Sequence, residues 1–229
     1  MSKIIIGIVS KHNNKTKRRT NTYIRDEVKQ AIFDNDAIAI GILPTEDKIK
    51  LCRNNWSDTL TKKEREDLIA QISLCDGIII QGGKQNEEYE NIIAKYCYNN
   101  NIPVLGICAG QNSIVRALGG NTIRVPNPEK HNNINNDYVH DIKINNNSKF
   151  YEIIKKDKIM VNSRHKNIVD NCPLLNKVAF CEDGYADVVE SNDKDFYIGV
   201  RFHPESLYKI DENHNIIFKE FINCCKNKK

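Results

Sequence analysis

The chain has 229 residues, with 34 basic and 30 acidic side chains and a net charge of +4. That length carries one sizeable α/β domain, expected over 1–229, and is short for two. Hydrophobic content of 40% and charged content of 28% are those of an ordinary globular protein, and no apolar run approaches the ~18 residues of a bilayer-spanning helix.

Short apolar runs alternate with helical patterns along the first half. Residues 4–9 predict a strand, a run too short for a signal h-region and without a cleavage site, so a cytoplasmic protein without a membrane role is expected. The basic stretch 11–19 follows, read as a solvated loop or an anion-binding loop over the strand end. Nucleic-acid binding fits it least, because no aromatic residue interleaves the charges. Residues 23–33 have helical periodicity, with Ile24, Val28, Ala31 and Ile32 on one face. A second strand over 37–43 stops at Pro44. Thr61-Lys62-Lys63-Glu64 is a capping-box pattern opening a helix through Ser73. A strand at 77–80, a helix at 87–98 and a strand at 103–107 follow. The next helix ends at Gly119-Gly120. This alternation predicts a parallel sheet with helices on both faces, and ligands on such sheets bind at the carboxyl ends of the strands.

After Gly120 the pattern changes. Residues 126–137 are polar with two prolines and predict a surface loop. Strands are expected at 139–144, 158–162, 178–181, 186–190 and 198–202, as an antiparallel extension that brings His203 back over the sheet. A helix at 218–224 closes the chain.

The eight cysteines stand at 52, 75, 97, 108, 172, 181, 224 and 225. None forms a Cys-x-x-Cys pair, so neither a metal site nor a disulfide framework is expected. Seven read as buried or incidental thiols, the vicinal Cys224-Cys225 included. Cys108 differs. It lies in Gly106-Ile107-Cys108-Ala109-Gly110, an apolar strand turning sharply into a helix, as in a nucleophile elbow. The flanking glycines give the strained bend room, and the helix N-terminus favours thiolate over thiol. A thiol nucleophile needs a base, and the base needs an orienting carboxylate. Arg201-Phe202-His203-Pro204-Glu205 supplies both at the end of another strand, with His203 and Glu205 on one face. The backbone N–H of Ala109 and one from Gly82 or Gly83 are candidate oxyanion donors. Among the other histidines, His140 reads as a pocket or packing residue, and His12, His131 and His214 as solvated.

These stretches resemble the class I glutamine amidotransferase superfamily, and within it the γ-glutamyl hydrolase branch, peptidase family C26. The resemblance runs nearly end to end. It includes Asp76-Gly77-Ile78-Ile79-Ile80-Gln81-Gly82-Gly83, Val161-Asn162-Ser163-Arg164-His165 and Asp183-Gly184-Tyr185-Ala186-Asp187-Val188-Val189-Glu190. It implies a flavodoxin-like α/β fold and hydrolysis of γ-glutamyl amides through a thioester on Cys108, with His203 and Glu205 as partners and no cofactor. It places Gln111, Asn162, Ser163, Arg164 and His165 near a small-molecule γ-glutamyl substrate and leaves a homodimer open. The sequence departs from the branch at Ala109, where many relatives have arginine, and at Lys84-Gln85-Asn86-Glu87 after the double glycine. Two rival functions share the fold. One is a glutaminase subunit that passes ammonia to a separate synthase. The other is a silent binding protein, which the intact Cys-His-Glu set disfavours.

Overall fold

The computed structural model describes residues 3–13, 21–45, 60–83 and 88–228. Cys52, the turn 84–87 and most of the basic stretch 11–19 lie outside the described residues. Strand β1 (Ile5–Val9) leads into an antiparallel pair, β2 (Lys11–Asn13) and β3 (Asn21–Tyr23). Helix α1 (Asp26–Phe33) starts three residues later than the periodicity predicts. The cause is a long-range tie. The Gln81 side-chain oxygen accepts the Arg25 N–H at 2.9 Å, while its amide nitrogen donates to Tyr23 O at 3.1 Å and to Val9 O at 3.0 Å. Residues 23–25 are thereby held extended.

Strand β4 (Ile38–Ile42) precedes α2 (Lys62–Ile72). The expected capping box is present: Glu64 N–H donates to Thr61 Oγ1 at 3.3 Å, and Thr61 N–H donates to Glu64 Oε2 at 2.6 Å. Strand β5 (Gly77–Ile80), α3 (Glu88–Asn99), β6 (Val104–Ile107) and α4 (Ala109–Ala117) follow. Gly119, at φ +80, closes α4. Its N–H reaches Arg116 O at 3.1 Å and that of Gly120 reaches Val115 O at 2.9 Å, a Schellman ending.

The second half holds β7 (Asn121–Arg124), α5 (Pro128–His131), β8 (Asn132–Asn133), β9 (His140–Ile144), α6 (Lys149–Ile154), β10 (Lys158–Val161), β11 (Ser163–Arg164), β12 (Asn167–Asn171), β13 (Asn176–Phe180), β14 (Ala186–Glu190), β15 (Tyr197–Val200) and α7 (Glu212–Asn227). Here the expected loop at 126–137 is corrected. It contains α5, which starts at Pro128, a residue whose fixed φ suits a first helical turn. It also contains β8, which pairs antiparallel with β11. Strands β7 and β12 form another antiparallel pair.

The central sheet has nine strands in the order β10-β9-β13-β14-β15-β6-β5-β1-β4. From β15 to β4 every neighbouring pair is parallel, and β14, β13, β9 and β10 form the antiparallel extension. Side chains alternate across it, as strand geometry requires. Ile6, Ile8, Leu105, Ile107, Ile198 and Val200 enter one core with α1, α6 and α7. Val9, Ile78, Ile80, Val104 and Tyr197 enter the other with α2, α3 and α4. Because β5, β6 and β15 are consecutive neighbours, the segments leaving their carboxyl ends meet. Those segments carry Gly82-Gly83, Cys108 and His203. No described helix is long and apolar enough to cross a membrane.

Candidate active site

Cys108 stands at the N-terminus of α4 with φ 51 and ψ −103, a conformation a residue with a Cβ rarely adopts. Its N–H is held by Val200 O at 2.8 Å. The glycines around it are required by contact. A Cβ on Gly110 would lie 1.8 Å from Ile80 O, and one on Gly106 would lie 2.9 Å from the Gly110 carbonyl. Helix α4 therefore presses against β5, with its N-terminus at the thiol.

His203 leaves β15 and is 5% exposed. Its Nδ1 lies 2.7 Å from Glu205 Oε1, and its ring stands beside the Cys108 side chain across Gly82. Pro204–Ser206 form a single 3₁₀ turn that folds the carboxylate under the ring. Asn162 fixes the backbone of His203 from both sides. Its Oδ1 accepts the His203 N–H at 2.7 Å and its amide donates to His203 O at 2.8 Å. Gly82 leaves space for the ring, since a Cβ there would sit 2.9 Å from His203 Cε1 and 3.3 Å from Cys108 Cβ.

The charges reinforce one another. Burial alone would raise the Cys108 pKa, but the His203 imidazolium and the Arg201 guanidinium outweigh it and hold it below the usual thiol value. Burial likewise opposes the His203 cation, yet Glu205 and the Cys108 thiolate push its pKa up to about 10. Glu205 is lowered in turn: burial would raise it, and His203 overrides that. All three shifts run in the direction that favours a thiolate–imidazolium–carboxylate array. Arg201 is 1% exposed and is held to about 10 chiefly by burial. It donates to Cys108 O at 3.2 Å and to Asn112 Oδ1 at 2.7 Å.

The array opens into a cleft of about 760 Å³ whose walls include Gly83, Ala109, Asn112, Arg164, His165 and Asn167. Its charged walls are Arg25, Arg164, Lys166 and Arg201 beside His203, and no carboxylate lines it among the described residues.

Several sequence expectations shift here. Ala109 and Gly83 do line the cleft, and Gly82 packs against the side chains of Cys108 and His203. Of the segment 162–165, only Arg164 and His165 reach the cleft wall. Asn162 serves His203, and the Ser163 hydroxyl donates to His131 O at 2.7 Å. Gln111 is fully buried and turned to the sheet, where its amide donates to Asp187 O and Gly199 O, each at 3.0 Å. Asn112, one residue on, faces the cleft instead. It lies four residues after Cys108 and so one helical turn above it, a spacing the sequence already carried. Arg201 was equally within reach, because it alternates onto the same face as His203 and Glu205.

His131 and His214 are not solvated. They are 3% and 0% exposed, the first under the β8–β11 pair and the second packed on Phe202 with its Nε2 3.1 Å from Met160 O. His12 is half-buried. His140 is a packing residue, its ring 5.7 Å from that of His131. Lys11, the first residue of the basic stretch, is buried against Gly83 in an ion pair with Glu90, to which Ser113 also donates at 2.6 Å.

Comparisons with known proteins bear on the family and the fold. The Peptidase C26 family profile matches residues 84–205. The CTP synthase of Chlamydia trachomatis serovar L2 is 30% identical over 195 residues, covering 71% of this chain and 36% of that protein. The chain thus spans about a third of the length of such curated relatives. Anthranilate synthase component 2 of Cyanophora paradoxa is 29% identical, over 77% of this chain and 86% of that protein. The glutaminase domain of Trypanosoma brucei CTPS, solved with bound acivicin, superposes with a TM-score of 0.69 at 18% identity, over 99% of this chain and 95% of that one. The family match covers more than half the chain and takes in both the Cys108 elbow and the His203–Glu205 pair, so the protein belongs to the Peptidase C26 family, on the class I glutamine amidotransferase fold.

Proposed function

We propose that the protein hydrolyses γ-glutamyl amide bonds by cysteine chemistry. The single observation that carries this reading is the Cys108–His203–Glu205 array, with its thiol activated and its imidazole held protonated. In the first step the Cys108 thiolate attacks the γ-carbonyl carbon. The C–N bond breaks, and His203 gives its proton to the departing amine, leaving a γ-glutamyl thioester. In the second step water attacks the thioester, His203 takes the water's proton, and the C–S bond breaks to release glutamate and regenerate the thiolate. The backbone N–H of Ala109 and one from Gly82 or Gly83 are assigned to the oxyanion of each tetrahedral intermediate. Glu205 orients the ring and stabilises its positive charge.

The cationic cleft supports an anionic substrate. Arg164 and Arg25 are assigned to the α-carboxylate of the glutamyl unit, and His165 to its wall. A cleft of about 760 Å³ is of the size that holds a whole small-molecule ligand, so the leaving amine has room within it. The resemblance to CTP and GMP synthases favours a second reading, in which glutamine is the substrate and ammonia goes to a separate synthase. One assay separates them. The isolated protein should release amine from γ-glutamyl conjugates faster than ammonia from glutamine. Turnover of glutamine alone, rising on addition of a synthase partner, would establish the second reading instead.

A further inference from the structure

Behind the cleft wall, three histidines converge from three separate segments. His131 ends α5, His140 opens β9, and His165 follows β11. One ring nitrogen from each lies within 4.8 Å of the others. Two of the three rings are fixed by a partner at one nitrogen. His131 Nε2 is 3.2 Å from Asp183 Oδ2, and His140 Nδ1 is 3.3 Å from Asp141 O. With that nitrogen donating its N–H to the acceptor, the other nitrogen carries a lone pair. Those nitrogens, His131 Nδ1 and His140 Nε2, are buried and have no hydrogen-bond partner. Neither nitrogen of His165 has one in normal geometry. Such an arrangement is costly as it stands, because a buried acceptor left unpaired forfeits its hydration. It is also the pattern of metal-bound imidazoles, which hand their outer N–H to a carboxylate or a carbonyl.

We propose that His131, His140 and His165 bind one divalent transition-metal ion of the zinc type. Three neutral imidazoles suit zinc, cobalt or nickel and not magnesium or calcium, which take oxygen ligands. Nitrogens on a tetrahedral zinc stand roughly 3.4 Å apart at metal–nitrogen lengths of about 2.0–2.1 Å, so small ring rotations close the triangle. Asp187 stands beside the cluster. It is 2% exposed, its Oδ1 is 3.8 Å from His165 Nε2, and its Oδ2 has no partner. The ion would tie the 163–167 wall of the cleft to α5 and β9. It is a positioning element apart from the thiol, and it touches the cleft through the His165 wall on which the proposed substrate reading also draws.

The test uses the full chain carrying Cys108→Ala and no polyhistidine tag, so that the thiol–imidazole pair cannot serve as a rival site. It is titrated with Zn²⁺ and with Co²⁺. One ion should bind per chain, with imidazole nitrogens and no sulfur in its X-ray absorption spectrum. Affinity should fall at least ~100-fold in His140→Ala, which removes a ligand from a half-buried position. His131→Ala should do the same. If that variant does not fold, His140→Ala and the absorption spectrum decide. Absence of saturable binding, sulfur ligation, or unchanged affinity in His140→Ala overturns the site.

Discussion

Cys108 and Cys97 are both buried thiols on helices that pack on the same face of the sheet, yet they are chemically opposite. Cys97 sits on α3 in the core with Ala94 and Tyr197, and burial there drives its pKa far above the ordinary thiol value. Cys75, less enclosed, is still pushed up to about 12, again by burial first and then by Asp76. Burial acts on Cys108 in the same direction, but the cations of His203 and Arg201 reverse the outcome. A buried thiol is inert by default, and it becomes a nucleophile only where the fold sets positive charge against it.

Removing the sulfur or its base should break the contrast most severely. Cys108→Ala and His203→Asn should each lower kcat at least ~10³-fold in a folded protein, measured as amine release with circular dichroism as the folding control. Glu205→Gln comes next, with an expected loss of ~10- to 100-fold. Its informative readout is pH. His203 is held protonated to about 10, so kcat/KM should stay level through neutrality and fall as pH approaches that value. Without the Glu205 charge the alkaline limb should move down toward the ordinary imidazole range, because less opposes deprotonation. A limb that stays in place would remove Glu205 from the array.

Smaller effects sharpen the comparison. Arg164→Gln takes one cation from the cleft and should raise KM up to about 5-fold, with kcat little changed, as expected for a partly exposed contact. Cys97→Ala should leave turnover untouched while costing roughly 1–2 kcal/mol in denaturant unfolding. A loss of activity there at full stability would mean that the inert thiol is not inert.

Local pattern made the elbow and the scaffold legible. Apolar runs and glycine punctuation marked β5 and β6, and the capping box marked α2. In the Gly-x-Cys-x-Gly spacing, Gly106 is dictated by a clash with Gly110 close by in sequence, and Gly110 by one with Ile80 on the neighbouring strand. What could not be read depended on contacts distant in sequence. Residues 23–25 look helical until Gln81, 56 positions from Arg25, claims the Arg25 N–H. His131 looks solvated because its neighbours are polar, and it is buried only because β8 pairs with β11. The Gln111 assignment failed by one step of helix phase, since a turn of α4 sends Asn112 toward the cleft and Gln111 toward the sheet. The pairing of Asn162 with the His203 backbone joins residues 41 positions apart, and no spacing within either motif points to it.

The central claim is that Cys108 is activated by its surroundings and not by exposure. Cys75, Cys172 and Cys224 are all more exposed than Cys108, so accessibility and activation predict different orders of labelling. The decisive measurement is the rate of iodoacetamide alkylation at each cysteine at neutral pH, read by peptide mapping in the native protein and in His203→Asn. Cys108 should react first in the native protein and slow toward an ordinary buried thiol in the variant. Faster labelling of the three more exposed thiols, or a Cys108 rate unchanged by loss of His203, would contradict the account.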